Sequence, residues 1–375
     1  MKVAIFFTFD YSIDTWYKSG TLERELSIYK EINKTYGTDF IFVTYGDESD
    51  KNYQKYLNEF EIIPVYSLIK YNKNRFLRFI ISFTIPFKIK KYLKDISIMQ
   101  QHQLLGAWVP IILRYLIKKP LIVRTGYDML EFAKKENKNI LLIFFYKLLS
   151  KLTVRLCDIY TVASSSDYKL KEKYFKNNIE TLRVRPNWVE PGKKIDFKDR
   201  YDNKILTVGR LVSQKNYELL INEFKSTKDF LTIDIVGSGN QKEYLEKLSK
   251  EKKVNINFIG NMSHSDLLNH YQKYKYFIST SSYEGNPKSL LEAMVSGCVV
   301  IASNIKNHEE LIENKKTGIL FNIKKPDLLT LYKELNINEE LLKKISIGAE
   351  NKTRDSNSLQ SLVSSTQQDY ISLID

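Results

Sequence analysis

The most informative stretch of the 375-residue sequence covers residues 281–303 and reads SSYEGNPKSLLEAMVSGCVVIAS. A glycine-bearing polar loop leads to Pro287, where a helix is predicted to begin, and Gly297 is predicted to end that helix ahead of a β-branched strand. Loop, helix and strand in this order are typical of one unit of a parallel α/β sheet, and the N–H groups at such a helix start predict an anion site. These N–H groups belong to Lys288, Ser289 and Leu290.

Short apolar, β-branched runs recur on both sides of this stretch, with helix-length segments between them. The alternation predicts an α/β fold with two Rossmann-like, doubly wound domains facing across a cleft, which their ligand-binding loops line. In the first domain, strands are predicted at Val3–Phe7, Phe40–Thr44, Ile96–Met99, Leu121–Arg124, Ile159–Ala163 and Thr181–Val184. In the second, they are predicted at Ile205–Val208, Thr232–Val236, Val254–Ile259, Phe277–Thr280, Val299–Ala302 and Ile319–Phe321.

The boundary between the two series is a segment with two prolines, a glycine and no apolar period. We therefore predict a first domain over residues 1–186, a linker over 187–203 and a second domain over 204–352. A C-terminal helix or tail over 353–375 is predicted to pack back on the first domain. The length agrees with this division, since domains cluster at roughly 100–200 residues.

The composition excludes a disordered chain, because 43% of the residues are hydrophobic and only 27% are charged. A net charge of +14 predicts an anionic partner: nucleic acid, lipid head groups or a phosphorylated substrate. Two cysteines, Cys157 and Cys298, are too few for a disulfide framework and fit a reducing cytoplasm. No apolar run reaches the ~20 residues needed to cross a bilayer.

A second motif, GRLVSQKN, covers residues 209–216. Gly209 follows a predicted strand and allows close backbone approach, and the cations Arg210 and Lys215 come after it. Such a pair suits a diphosphate, although both could instead be solvated surface cations. Glu284 and Glu292 are expected on the order of 10 Å apart, too far to share a proton, so each would accept hydroxyl hydrogen bonds from a different part of one elongated ligand.

The spacing from Glu284 to Glu292, together with the motif at 209–216, resembles the family 4 retaining glycosyltransferases of the GT-B fold, also described as glycosyl transferases group 1. The resemblance covers the second domain. It implies that Arg210 and Lys215 hold the donor diphosphate, that Glu284 faces the donor sugar and that Glu292 faces the ribose. The further residues it implies at the nucleotide sugar are Gly20, Gly209, Gly237, Gly239, Asn261, Gly285, Asn286, Pro287, Lys288, Ser289 and Leu290.

Two residues depart from the family pattern, in which an aromatic or other apolar residue is common in place of Asn286 and proline in place of Cys298. The resemblance implies transfer of a sugar from a nucleotide diphosphate sugar, with a UDP-sugar favoured, and no enzyme nucleophile, cofactor or metal. The implied acceptor is a hydroxyl of a lipid-linked or cell-surface glycan, in lipopolysaccharide, capsule or exopolysaccharide assembly. The alternative is a catalytically decayed sugar-nucleotide-binding or membrane-scaffold protein; nucleic-acid binding is not expected, because no reader motif is present.

The first domain offers weaker signals. His102 lies close after a predicted strand, where a neutral imidazole could orient or deprotonate a hydroxyl, or could be purely structural. The segment that begins at Gly20 resembles the family's donor-side glycine loop. Residues 124–128 resemble the acceptor-side loop of some members, or form an ordinary turn capped by Asp128.

The basic surplus is concentrated between residues 67 and 94, which contain no acidic residue. The basic residues of this segment are Lys70, Lys73, Arg75, Arg78, Lys88, Lys90, Lys91 and Lys94. Phe76, Phe79, Phe83 and Phe87 are interleaved with these cations, and residues 137–157 repeat the pattern. Cations beside exposed aromatics predict peripheral contact with an anionic membrane, on the inner face of the cell membrane. The alternative is that the aromatics belong to the core.

Overall fold

The computed structural model describes residues 1–57, 59–174 and 181–374. The chain divides into two compact units, one of residues 1–186 with 362–375 and one of residues 187–361. Each unit is built around its own parallel sheet.

The first unit contains a seven-stranded sheet in the order β3-β2-β1-β4-β5-β6-β7, with every neighbouring pair parallel. Its strands are β1 Lys2–Phe6, β2 Asp39–Thr44, β3 Glu61–Pro64, β4 Ile98–His102, β5 Leu121–Thr125, β6 Ile159–Val162 and β7 Leu182–Val184. Its helices include α1 Ile13–Lys18, α2 Leu22–Tyr36, α3 Gln54–Leu57, α4 Arg75–Ser82, α5 Ile85–Ile89, α6 Trp108–Ile117, α7 Met129–Lys135, α8 Ile140–Leu156 and α9 Ser165–Tyr174. The strands are almost entirely buried, as expected for a parallel sheet covered by helices.

The second unit contains a six-stranded parallel sheet in the order β10-β9-β8-β11-β12-β13. Its strands are β8 Tyr201–Val208, β9 Thr232–Val236, β10 Asn255–Gly260, β11 Tyr274–Ser279, β12 Val299–Ser303 and β13 Ile319–Phe321. Its helices include α10 Tyr217–Glu223, α11 Lys242–Glu251, α12 His264–Tyr271, α13 Lys288–Val295, α14 Lys306–Leu311, α15 Leu328–Asn336 and α16 Glu339–Ser356. The strand order reverses between β8 and β11, which is where doubly wound sheets bind ligands.

The last helix, α17 at Leu359–Ile371, enters the first unit. Its Asp369 accepts hydrogen bonds from Arg185 at 2.7 and 2.8 Å, and the Tyr370 hydroxyl donates to Gln100 Oε1 at 2.6 Å. Tyr370 is fully buried. These contacts fasten the C-terminal segment to the sheet of the first unit.

All the predicted strands are present: Thr232–Val236 and Ile319–Phe321 have the predicted bounds, and the others have shifted ends. Glu61–Pro64 is an additional strand that the sequence does not predict. This edge strand contains only two isoleucines before Pro64, too short a run to stand out. Strand β8 begins at Tyr201, inside the segment predicted as linker. The sequence does not predict this start, because the first residues of β8 are exposed and show no apolar pattern. His102 is the last residue of β4 and does not follow it.

Candidate donor site

Three glycines allow two loops of the second unit to cross at the ends of β8 and β9. A Cβ atom on Gly237 would lie 2.1 Å from the Gly209 carbonyl oxygen, and one on Gly239 would lie 2.3 Å from the Leu211 carbonyl oxygen. The backbone of Gly237 also has a φ of +138°, which disfavours a side chain. The Leu211 N–H donates to the Ser238 carbonyl at 2.9 Å, so the two loops are bonded as well as packed. Glycine at these positions is therefore a steric requirement.

Arg210 and Lys215 have different surroundings, although the sequence predicts the same ligand for both. Arg210 is exposed, and its guanidinium has no hydrogen-bonding or ion-pair partner among the described residues. Lys215 keeps only 15% of its side chain exposed, and its Nζ lies 2.6 Å from Glu284 Oε1. Arg210 is a cation available at the surface, whereas Lys215 is part of a buried ion pair.

Glu284 is held by three donors. Its Oε1 accepts from Lys215 at 2.6 Å and from the Ser281 hydroxyl at 2.7 Å, and its Oε2 accepts from Gln214 Nε2 at 3.2 Å. Burial alone would raise the pKa of Glu284, but the Lys215 ammonium and these hydrogen bonds hold that pKa below its ordinary value. Glu284 is therefore an ionised carboxylate in a fixed orientation.

Gln214 contacts the Glu284 loop, although the sequence analysis does not identify it as a site residue. It is buried, and its Nε2 donates to the Tyr283 carbonyl at 2.9 Å as well as to Glu284. Its own carbonyl accepts the Ser282 N–H at 2.9 Å. The only sequence signal is its place beside Lys215 in the motif, because an uncharged side chain gives no electrostatic pattern.

Beneath the loop, a buried histidine and two serines support Glu284. The Ser303 hydroxyl donates to the Ser281 carbonyl at 2.6 Å, and His308 Nδ1 lies 2.9 Å from the Ser303 carbonyl. Burial lowers the pKa of His308 to about 4, so this imidazole is neutral at pH 7. Lys215 is thus the charged group that balances Glu284 here.

Helix α13 begins at Lys288, directly after the loop that contains Glu284 and Gly285. The Leu290 N–H already donates to the Pro287 carbonyl at 3.2 Å, so an anion at this helix start would be bound by the N–H groups that precede it. Glu292, further along the helix, is buried with 2% of its surface exposed, and its Oε2 accepts from the Tyr271 hydroxyl at 3.1 Å.

The remaining predicted nucleotide-site residues lie at loop ends. Asn261 is exposed and follows Gly260, whose carbonyl accepts the Gly237 N–H at 2.8 Å. Ser289 is half-buried in the first turn of α13. Asn286 is buried, and its side-chain oxygen accepts the N–H of Asn187 at 3.2 Å, an internal partner that the sequence does not reveal.

In the first unit, His102 is buried with 7% of its surface exposed, and its Nε2 lies 3.3 Å from Glu25 Oε2. Glu25 belongs to α2, which begins just after Gly20, a residue with a φ of +70°. The structure therefore brings the segment after Gly20 together with His102. Asp128 caps α7 through the N–H groups of Leu130 and Glu131, and pairs with buried Lys171 at 3.1 Å. For Asp128, the capping alternative is the observed one.

In the basic segment between residues 67 and 94, two residues predicted to face the membrane are partly buried. Arg78 is not a surface cation: its guanidinium forms two hydrogen bonds to Asp10, at 2.8 and 2.9 Å, and only 12% of its side chain is exposed. Phe79 is not an exposed aromatic, because it packs against Trp108 and Phe145 at 5.1 and 5.7 Å between ring centroids. Both side chains contact residues that are distant in sequence, so the sequence of the segment alone does not predict their burial.

The other aromatics of this segment remain exposed, and α8 adds a second exposed apolar row. Phe76 is 67% exposed and Phe87 55%. On α8 the exposed apolar residues recur at helical spacing and share one face with exposed basic residues. The apolar row contains Ile140, Leu141, Phe144, Leu148 and Leu152. The basic row contains Lys147, Lys151 and Arg155.

Within the described ranges, no helix has the length and apolar character required to span a bilayer. Among the same residues, no cluster of three or more histidine, cysteine, aspartate or glutamate side chains has the arrangement of a metal site.

Residues 191–352 match the sequence model of the family described as glycosyl transferases group 1. These residues form a group 1 glycosyltransferase domain. The match covers the whole loop-and-helix site described above, from Gly209 to Glu292. It confirms the predicted transferase class and family at the level of group 1.

Two sequence relatives agree with this assignment. The chain is 33% identical over 141 residues to the GtfA subunit of a UDP-N-acetylglucosamine–peptide N-acetylglucosaminyltransferase of Streptococcus agalactiae, covering 36% of this chain and 28% of that protein. It is 28% identical over 246 residues to CapH, a capsular polysaccharide biosynthesis glycosyltransferase of Staphylococcus aureus, covering 61% of this chain and 66% of CapH. The chain thus spans less than two thirds of either relative.

The structure of Anabaena HepE in complex with UDP covers 100% of both chains, with a TM-score of 0.74 at 14% identity. At this identity the likeness concerns the fold. It confirms the predicted GT-B fold class of two parallel α/β domains.

Proposed function

We propose that the chain transfers a sugar from a nucleotide diphosphate sugar, most favourably a UDP-sugar, to a hydroxyl of a lipid-linked or cell-surface glycan with retention of configuration, as in glycosyltransferase family 4. The observation that supports this best is the buried Lys215–Glu284 pair beside the start of α13. HepE was solved with UDP-glucose, and CapH is named for capsular polysaccharide synthesis, which supports the donor and the acceptor classes.

The donor diphosphate is proposed to bind between Arg210, Lys215 and the N–H groups at the start of α13. Arg210 is exposed and can form two parallel hydrogen bonds to phosphate oxygens. Lys215 has three N–H donors, and one of them is used by Glu284, so it can contact the diphosphate without releasing the carboxylate. As the sugar leaves, these groups stabilise the charge that develops on the diphosphate.

Glu284 is proposed to accept a hydrogen bond from one hydroxyl of the donor sugar. A carboxylate offers about four acceptor positions, and three donors already occupy Glu284. Because Oε1 has two partners and Oε2 has one, the remaining position lies on Oε2. Glu284 would therefore recognise a single hydroxyl in a defined direction.

Glu292 is proposed to accept from the ribose, with Tyr271 orienting it through Oε2. On the acceptor side, His102 is proposed to orient the attacking hydroxyl or accept its proton, and Glu25 would hold the imidazole in place. The attacking oxygen approaches the same face of the sugar that the diphosphate leaves, so the mechanism requires no enzyme nucleophile. We also propose that no metal or other cofactor takes part, since cations and a helix start serve the diphosphate.

The exposed apolar and basic side chains of α4, α5 and α8, such as Phe76 and Phe87, are proposed to contact the anionic cytoplasmic face of the cell membrane. Basic and apolar side chains share the exposed face of α8, which suits head-group attraction with shallow insertion of rings such as Phe144. This placement would bring the acceptor half of the enzyme to a lipid-linked glycan.

The membrane proposal is tested with sedimentation on vesicles of phosphatidylglycerol and phosphatidylcholine. Changing Lys88, Lys90, Lys91 and Lys94 together to Gln should weaken binding by roughly fivefold per lysine at low salt. Matched changes at exposed Lys225, Lys228, Lys247 and Lys250, in the second unit, alter the net charge equally and should have little effect. Equal losses in both variants would contradict a localised surface and favour general charge attraction.

The donor proposal is tested by thermal unfolding with UDP, GDP, ADP and their common sugars. A nucleotide at 100 times its dissociation constant stabilises the folded state by about 2.7 kcal/mol, which raises the melting temperature by roughly 5–10 °C for a domain of this size. Arg210→Ala should reduce this shift, while the control Lys225→Ala should keep it. An unchanged melting temperature with every nucleotide would contradict a donor site. A raised melting temperature without sugar transfer to an added acceptor would favour the decayed-enzyme alternative.

A further inference from the structure

Three buried asparagines of the second unit are linked in series by hydrogen bonds. Asn286 accepts the Asn187 N–H on its side-chain oxygen at 3.2 Å, and its carbonyl accepts from Asn187 Nδ2 at 2.8 Å. The Asn187 carbonyl in turn accepts from Asn357 Nδ2 at 2.8 Å, and the Asn357 carbonyl accepts the Val189 N–H at 2.9 Å. Their exposed fractions are 7%, 8% and 5% for Asn187, Asn286 and Asn357.

Each asparagine marks a different segment of the chain. Asn187 is the residue at which the chain enters the second unit. Asn357 directly follows α16, a few residues before the chain returns to the first unit at Leu362. Asn286 lies in the loop between Glu284 and the start of α13. The loop of the candidate donor site is therefore tied to both segments through which the chain enters and leaves this unit.

We propose that Asn286 is a positioning residue that couples the donor loop to these two crossing segments, residues 186–189 and 357–361. The inference rests on the proposed donor site and deepens it. The side-chain oxygen of Asn286 already accepts the Asn187 N–H. The asparagine that replaces the family's common apolar residue therefore holds the loop in place and does not bind the sugar. An apolar side chain at 286 would leave the buried N–H of Asn187 without this acceptor, which is costly in a buried position.

The proposal predicts that a nucleotide bound at the loop slows amide exchange at the crossing segments. We would measure hydrogen exchange by mass spectrometry on the full chain, alone and with UDP, GDP or ADP. Asn286→Leu removes the acceptor at similar volume, whereas Asn286→Asp keeps an oxygen in the same position. The control Asn269→Ala removes the side chain of a different asparagine, in α12, whose oxygen accepts the Lys193 N–H at 3.0 Å.

In the wild type, the nucleotide should slow exchange in residues 284–290 and also at Asn187 and Val189. In Asn286→Leu, the Asn187 amide should exchange up to about tenfold faster without ligand, because one hydrogen bond is lost. The nucleotide should then protect the loop but not the crossing segments, and the donor KM should rise while the acceptor KM stays constant. Asn286→Asp and Asn269→Ala should keep the wild-type coupling.

Three results would overturn the inference. If the nucleotide protects residues 284–290 of the wild type without affecting the crossing segments, the donor site stands and the coupling fails. If Asn286→Leu keeps the coupling, Asn286 is not its source. Absence of loop protection with all three nucleotides would refute the donor site and this inference together. Should Asn286→Leu fail to fold, the wild-type measurement and Asn286→Asp still decide the matter.

Discussion

Replacing Lys215 by Met should destabilise the protein as well as stop turnover, because Lys215 is not a surface cation. The substitution leaves the Glu284 carboxylate, 8% exposed, with only Ser281 and Gln214 as donors. Breaking a buried ion pair from one side costs about 3–5 kcal/mol, and the two remaining hydrogen bonds place this case near 3 kcal/mol. For a domain of this size the melting temperature should fall by roughly 6–12 °C.

The assay is thermal unfolding of the wild type, Lys215→Met, Glu284→Gln and the double variant, followed by sugar transfer for each. The double variant removes the buried charge along with its partner, so it should recover most of the lost melting temperature. It should not recover turnover, since the diphosphate still lacks Lys215. A Lys215→Met protein that melts within about 2 °C of the wild type would refute the buried-pair argument, and so would a double variant as unstable as the single one.

Three further predictions concern charge and role. The pKa of Glu284 is lowered in the folded state, so the ionised carboxylate stabilises the wild type fully above the ordinary glutamate range, and this stabilisation is lost as pH falls through the lowered value. In Lys215→Met, unopposed burial should raise the pKa of Glu284. The difference in melting temperature between the wild type and Lys215→Met should therefore narrow from pH 7 to pH 5. Glu284→Gln should impair sugar transfer more than nucleotide binding, and Glu292→Gln should do the reverse; calorimetric titration and initial rates showing equal effects for both would contradict the assigned roles. Turnover should persist in EDTA, and activity that EDTA abolishes and Mg²⁺ or Mn²⁺ restores would show that a metal is required.

The sequence predicts the sheets well, because parallel strands buried on both faces are continuous apolar runs, such as Val299 to Ala302 in β12. It fails for Glu61–Pro64, since an edge strand with two apolar residues resembles a loop. The donor motifs are also visible, because they lie on loops that directly follow strands. Both loops and the helix start occur within one unit, so local order is enough to place them together.

The internal partners of the site could not be predicted in this way. The bonds from Gln214 to Glu284 and from Asn187 to Asn286 join residues 70 and 99 positions apart, and polar side chains carry no periodic signal that would pair them. Arg78 resembles a membrane-facing cation in its own segment, yet it binds Asp10, 68 positions earlier. Tertiary contacts of this kind decide whether a charged residue is available to a ligand.

The most direct test of retaining sugar transfer is the anomeric configuration of the product. The wild type would be incubated with the nucleotide sugar that stabilises it, labelled with ¹³C at the anomeric carbon, and with lipid-linked glycans extracted from the source cells. We predict that NMR will show the labelled sugar on the acceptor in the donor's anomeric configuration, with one nucleoside diphosphate released per sugar transferred. An inverted product, or no product and no released nucleoside diphosphate, would contradict the account.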